Sequence, residues 1–480
     1  MWLRLVSPAG RSPAPNRKTD SHISDRPIQT FQTVQFAHFR PSNSHISDRP
    51  VPILAGVDQY QPRIVDTELD LLAAGLPAIS IEGPRAVGKT ETARRRTRTV
   101  HRLDDSERLA VVRGDPGRLL SGEGPILIDE WQRFPASWDL VRRRVDADPR
   151  TARFLLTGSA APATRPTHSG AGRFVTLRMH PMSLAERGLA EPTVSLAELL
   201  TGSRPPLTGT SAMRLSDYAL EIERSGFPAI RALDRPLRER QIGSYLDRVV
   251  EHDLDELGGG VRDRASLRRW LEAFSAATAT TAAYTTIRDA ATPGAGDPPS
   301  MATVAVYRRV LEQMWIIEEL PAWLPTRSRL RRLAASPKHH LTDPALAMSS
   351  LGIEAEALLD GITTPHVTHR DGTLLGSLFE SLMTLSVRVY AQASRARVSH
   401  LRTRGGEHEV DLIVQRRDSR VVALEVKLTA TVNDNDVRHL RWLSDRLGDN
   451  LLDAAVISTG PEAYRRQDGI GVIPAALLTA

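Results

Sequence analysis

The sequence contains no cysteine. Disulfides, thiol nucleophiles and cysteine-ligated zinc are thereby excluded, and folding must rest on packing. No apolar run reaches the roughly 18 to 20 residues that a membrane-spanning helix needs, and Arg4 interrupts the first residues before a signal-type apolar stretch can develop. The expected compartment is the cytoplasm, with no membrane partner. Lysine is scarce too: of 63 basic residues only Lys18, Lys89, Lys338 and Lys427 are lysine. Where arginine is the default cation, a lysine marks a place that needs a compact, rotatable, titratable charge. Nor is charge of one sign in large excess, since +6 over 480 residues is only a mild lean toward polyanionic partners.

What is present is organised in segments. A chain of 480 residues with 41% apolar content supports two to four domains. Residues 1–55 are rich in Ser, Pro, Arg and His and contain the heptapeptide SHISDRP twice, at 21–27 and 44–50. Such composition predicts a disordered extension outside the fold, with a binding arm as the other reading of the repeat. Over 56–200, apolar stretches alternate with charged helical ones, the pattern of an α/β domain with a parallel sheet. LPAISIEG (76–83), GPILIDE (124–130) and ARFLLTGSA (152–160) are its strand-like stretches. Residues 201–264 read as linker and helices. Over 265–335 two apolar faces recur at helical spacing: Leu267, Trp270, Leu271 and Phe274, then Val304, Tyr307, Leu311 and Met314. A winged-helix unit and a plain helical packing domain both fit that pattern. Residues 336–480 return to mixed α/β character.

GPRAVGKT, Gly83 to Thr90, fits G-x-x-x-x-G-K-[ST] without departure. It follows the apolar AISIE and precedes the proline-free run ETARRRTRTV, expected to be helical, so it sits where a phosphate-binding loop must. Gly83 and Gly88 let backbone N–H groups wrap phosphates at a helix start, Lys89 reaches the β and γ phosphates, and the Thr90 hydroxyl takes magnesium. In ILIDE, Asp129 and Glu130 emerge at a strand's carboxyl end, where α/β sheets hold ligands. Asp129 is expected to hold the magnesium and Glu130 to orient or deprotonate water. Thr157, in LLTGS, is placed to sense the γ phosphate. Arg173 has two readings, a sensor or finger arginine and a surface ion pair.

EVDLIVQRRDSRVVALEVKL, residues 409–428, alternates with period two on both sides of RRDSR, so each strand is expected to have one apolar and one charged face. Pairing about a turn centred on Asp418 sets Asp411 opposite Glu425 and Glu409 opposite Lys427. Two carboxylates at roughly 4.5 to 5.5 Å Cα separation destabilise a sheet unless a positive charge lies between them. Magnesium meets that demand, with Lys427 beside it to activate water or balance phosphate charge. Glu380, in the upstream helical stretch GSLFESL, is the natural third ligand. A solvated face with Glu409 bonded to Lys427 is the other reading.

Together GPRAVGKT, ILIDEWQRFPASWDLVRRRVD, FLLTGSAAP, HSGAGR, PMSLAERG, PKHHLTDPALA, GSLFESL, HEVDLIV and ALEVKL resemble the prokaryotic AAA-family ATPases that carry a carboxyl-terminal domain of unknown function 4143. The similarity runs from about residue 60 to the end. It implies an AAA-type ATP-binding core, a winged-helix-like middle and, over 336–480, an end domain similar to the PD-(D/E)XK nuclease fold. In that pattern Glu380, Asp411, Glu425 and Lys427 match the nuclease constellation, and Lys89, Asp129 and Glu130 the ATPase one. Lys338 falls in a recurrent motif to which no chemistry attaches, and a fold-stabilising role is expected. The expected function is an ATPase whose nucleotide state controls a nuclease-like domain, with ATP, magnesium and nucleic acid as partners and self-association left open. A nucleotide-driven switch or scaffold with an inactive end domain is the alternative.

Overall fold

Five short strands, β1 (Ala78–Glu82), β2 (Thr99–Arg102), β3 (Ile126–Asp129), β4 (Phe154–Gly158) and β5 (Phe174–Arg178), form an all-parallel sheet in the order β2-β3-β4-β1-β5. The computed structural model describes residues 60–150, 153–159, 170–253, 263–292, 294, 296–323, 336–359, 374–403 and 405–480. The predicted repeat-bearing extension lies outside them. β1, β3 and β4 are the three stretches expected from sequence, and they are the inner strands, buried on both faces. β1 lies between β4 and the edge strand β5, so the loop leaving it opens at the sheet's carboxyl edge.

One helix is shorter than predicted. The run at 91–100 is helical only to Arg94, and Thr99 to Arg102 form β2. Thr97, Thr99 and Val100 are β-branched and stiff at χ1, which favours a pleated strand over a helix turn, and the backbone N–H of Arg98 already donates to Pro125 O at 2.9 Å. β2 and β5 are edge strands with half-covered faces, so neither carries the long apolar run that reveals the inner three.

The two predicted apolar faces lie on the helices Arg264–Ala276 and Met301–Gln313, and both point inward. Leu267, Trp270, Leu271, Phe274, Val304, Tyr307, Leu311 and Met314 are all buried in one cluster. After the last of these helices, Met301–Gln313, the chain makes isolated bridges from Ile317 to Leu341 and from Leu320 to Lys338. Among the described residues the helices are therefore followed by a strap of two antiparallel-bridged segments, 317–320 and 338–341.

The sheet of the end region comprises β7 (Arg397–Arg402), β8 (Glu409–Gln415), β9 (Val421–Val426), β10 (Leu451–Ser458), β11 (Tyr464–Arg465) and β12 (Gly471–Pro474), in the order β11-β12-β10-β9-β8-β7. The β8–β9 hairpin has the predicted register about Asp418, pairing Leu412 with Leu424 and Val414 with Val422. Its faces differ from expectation, because both are buried. Leu412, Val414, Val422 and Leu424 share a core with the helix Leu374–Ala393, while Ile413, Val421 and Ala423 pack with Leu440 and Leu443 of the helix Arg438–Leu447. A sheet covered by a helix on each side leaves no solvated face for the charged residues. They sit at one end of the hairpin instead. There the β7–β8 register shifts, so that Asp411 and Leu412 together oppose His400. Such a bulge re-aims a side chain, here that of Asp411.

The P-loop, helical and end regions share one apolar cluster, which runs from Ile79 and Leu177 through Trp270 to Leu382 and Leu477. Residues 56–480 accordingly form a single compact unit. The last strand, β13 (Leu478–Thr479), pairs in parallel with β6 (Val194–Ser195), tying the end of the chain back to the P-loop region. Among the described residues no helix is long and apolar enough to cross a membrane.

Candidate functional site

The loop after β1 needs glycine at its two fixed positions. Gly83 has φ +150 and Gly88 φ +106, and a Cβ at Gly83 would lie 2.2 Å from the Met179 carbonyl oxygen. Lys89 opens the helix Lys89–Arg94, and its ammonium donates to the carbonyls of Gly83 at 3.0 Å and Pro84 at 2.7 Å. Burial pushes that ammonium down to about 8, against the pull of Glu130 and Asp129. Thr90 Oγ1 donates to Asp129 Oδ1 at 2.8 Å, and Thr157 Oγ1 donates to the same oxygen at 2.5 Å. Strand register explains the second bond, since Asp129 and Thr157 are paired residues of β3 and β4. Glu130 turns out of the strand with φ 56 and accepts from Ser159 Oγ at 3.1 Å and from Gln132 Nε2. Gly83, Gly88, Lys89, Thr90, Asp129, Glu130 and Thr157 thus meet at the sheet edge.

Arg173 does not join them. Its guanidinium pairs with Asp146 at 2.7 Å, with 45% of the side chain exposed. A residue that the sequence did not single out does reach the loop. Arg63 is buried, donates to Val87 O at 3.0 Å and His180 O at 2.7 Å, and pairs with Glu186 at 3.0 Å. Glu186 also accepts from the Ile64 and Ser183 backbone N–H groups at 2.7 Å. The motif PMSLAERG thus holds the phosphate loop from behind.

In the end region the acids gather around a lysine. The ammonium of Lys338, only 2% exposed, lies 2.8 Å from Glu380, 2.8 Å from Glu409 and 2.9 Å from Asp411. The other oxygen of Asp411 accepts the Val426 backbone N–H at 3.0 Å. Beside it Lys427 donates to Glu425 Oε1 at 2.7 Å, while the buried Glu425 Oε2 has no hydrogen-bond partner. Burial, then the charge of Asp411, pushes the carboxyls of Glu380 and Glu425 up. Burial works on Asp411 in the same direction, but Lys338, Lys427 and the Val426 N–H outweigh it and hold Asp411 low. One ionised acid between two that resist ionisation is the pattern of carboxylates sharing a small space. Among the described residues no three His, Asp or Glu side chains form a ready metal cage. Glu409 bonds Lys338 rather than the expected Lys427, and Lys338, expected only to stabilise the fold, is the centre of the cluster.

These features define the class. A parallel sheet with a glycine-wrapped, lysine-bearing loop beside a Thr–Asp pair is a P-loop nucleotide-binding protein. Family models match in the same order along the chain: an AAA domain over 76–187, a domain of unknown function (DUF8612) over 215–357 and a domain of unknown function (DUF4143) over 375–478. The chain therefore carries an AAA-type, ATP-binding P-loop domain followed by a carboxyl-terminal DUF4143 domain. Two uncharacterized proteins, from Mycobacterium bovis and Mycobacterium tuberculosis, are each 24% identical to it over 412 residues, covering 83% of this chain and 80% of theirs. A Walker-type ATPase of Pyrococcus abyssi aligns over 59% of this chain and 94% of its own, at 14% identity and a TM-score of 0.36.

Proposed function

We propose that this chain hydrolyses ATP and that its nucleotide state controls the end domain, which acts on nucleic acid as a magnesium-dependent nuclease. One observation carries it: two acid–lysine clusters, at the P-loop and at Asp411, are built into one continuous core and joined by partly buried ion pairs. Arg178, the last residue of β5, pairs with Glu318 at 2.9 Å, and Glu318 pairs with Arg388 at 3.2 Å on the helix that also bears Glu380. A shift at the sheet edge is thereby felt at the helix that carries a cluster carboxylate.

The residues present fit the metal ions that each activity needs. At the P-loop, Thr90 and Asp129 already share a hydrogen bond and would hold magnesium against the β and γ phosphates, neutralising their charge. Lys89 binds those phosphates in place of its present carbonyl partners, and Glu130, held by Ser159, takes the proton of the attacking water. In the end domain the unpartnered Oε2 of Glu425 is the fit, since a buried carboxylate oxygen without a donor calls for a cation. Magnesium binds through as few as one or two carboxylates plus waters, so Asp411 and Glu425 would hold it with Glu380 as the third group, and it would supply an activated water. Lys427 then balances phosphate charge. To act as a sensor or finger, Arg173 must leave Asp146.

The alternative has its own support. The Lys338 ammonium already lies between three carboxylates, as a resident cation would in an end domain that binds a partner without cutting. The test is to incubate the purified chain with labelled DNA and RNA in magnesium or manganese, with and without ATP. Cleavage abolished by Asp411→Ala, with ATP turnover intact, supports the nuclease. No cleavage under any of these conditions leaves the switch.

A further inference from the structure

A cavity of about 920 Å³ lies where the P-loop, strap and end regions meet, and it shares no residue with either acid–lysine cluster. Five arginines line it: Arg388, Arg395, Arg397, Arg416 and Arg417. Two of them are committed. Arg388 pairs with Glu318, and Arg416 bonds Asp418 and the Leu200 carbonyl. Arg395, Arg397 and Arg417 are exposed, and among the described residues none of the three has a carboxylate partner. Arg395 also has φ 52 just past the end of the helix Leu374–Ala393, a left-handed position that glycine fills more easily.

The acids lining the cavity offset these charges only in part. Glu318 is already matched by Arg178 and Arg388. Glu68 accepts from Gln392 at 3.0 Å, and burial pushes Glu319 up to about 7. The apolar lining is slight, and its one aromatic ring, the imidazole of His180, is buried. A base would find no exposed aromatic side chain to stack on, whereas a phosphate backbone needs only forked donors.

We propose that this cavity holds a single nucleic-acid strand by its phosphates, without reading sequence, through Arg395, Arg397 and Arg417. The inference rests on the nucleic-acid reading of the end domain and adds where the strand is gripped. Glu68 and His180 bring the P-loop region to the same wall, so a bound strand touches both halves of the machine.

The test is fluorescence anisotropy of a labelled single-stranded oligonucleotide, DNA and RNA, over a series of salt concentrations. The full chain is compared with the triple variant Arg395→Ala, Arg397→Ala, Arg417→Ala and with a control triple, Arg240→Ala, Arg269→Ala, Arg309→Ala, taken from exposed positions on the helices. ATP binding by each variant reports an intact fold. The cavity variant is expected to bind more weakly, with the slope of log affinity against log salt reduced by about two, while the control keeps its slope. Equal losses in both variants, or no loss in the cavity variant, overturn the inference and leave nucleic-acid binding in place. No binding by the unmodified chain overturns both. Displacement of the strand by inorganic tripolyphosphate at equal phosphate concentration overturns the strand in favour of a free polyphosphate.

Discussion

Lys338 donates to Asp411 at 2.9 Å from a strap that lies 73 residues earlier in the chain. The lysine is carried by the bridge between Leu320 and Lys338, and Glu318, two residues before Leu320, is the partner of Arg178 on the P-loop sheet. The cation that balances the end-domain acids is therefore delivered by the same strap that touches the nucleotide-binding half. Displacement of the strap would expose Glu380, Glu409 and Asp411 to another cation.

Replacing Lys338 by methionine keeps the stem and removes the charge. Three carboxylates, that of Asp411 buried and those of Glu380 and Glu409 half-buried, then face one another, and breaking a buried network costs up to about 3 to 5 kcal/mol. The expected result is a large drop in urea midpoint, part of which manganese restores because it binds only the folded state. A manganese-induced rise in midpoint no greater than in the unmodified protein would show that the cluster has no affinity for a divalent ion.

Lys89 offers a pH signature. With its ammonium pushed down to about 8, the side chain is largely neutral above that pH, and bound phosphate draws the proton back. ATP binding is therefore expected to take up a proton increasingly as pH rises from 7 to 9. Calorimetry in buffers of different ionisation enthalpy measures it, and Lys89→Ala should lose both the uptake and roughly a hundredfold in affinity, about 2.7 kcal/mol.

Glu130→Gln separates binding from turnover. Ser159 and Gln132 hold this carboxylate, and the amide keeps its shape while losing the basic oxygen. ATP affinity should change little, while single-turnover hydrolysis slows roughly 10²- to 10⁴-fold, the usual contribution of a general base.

The phosphate loop is legible in the sequence because its residues are contiguous and its strand is an inner one. The hairpin register is legible for a similar reason, since RRDSR fixes the turn locally. What neighbours decide is not legible. The burial of both hairpin faces comes from the helices Leu374–Ala393 and Arg438–Leu447, and the role of Lys338 depends on Glu380 and Asp411, 42 and 73 residues away. Arg63 escapes notice in the same way, because its partner Glu186 lies 123 residues on. The scarcity of lysine is the one signal that points toward Lys338. It marks the residue without naming its partners.

Glu318 tests whether the two halves are wired through the strap. It is buried between Arg178, Arg388 and His180, and although burial works to raise its carboxyl, Arg178 and Arg388 hold it well below the ordinary value. A depressed carboxyl contributes stability that is present above the unfolded-state pKa, about 4.3 for glutamate, and lost as pH falls through the folded value. Glu318→Gln should therefore lower stability at pH 7, leaving two arginines facing each other, and the difference from the unmodified protein should shrink on acidification below about pH 4. Chemical denaturation across that range measures both. If ATP alters nucleic-acid cleavage or binding in the unmodified chain, the same variant should still bind ATP through the intact loop and lose the response. A variant that keeps the full response would mean that the signal travels through the shared core rather than through these ion pairs.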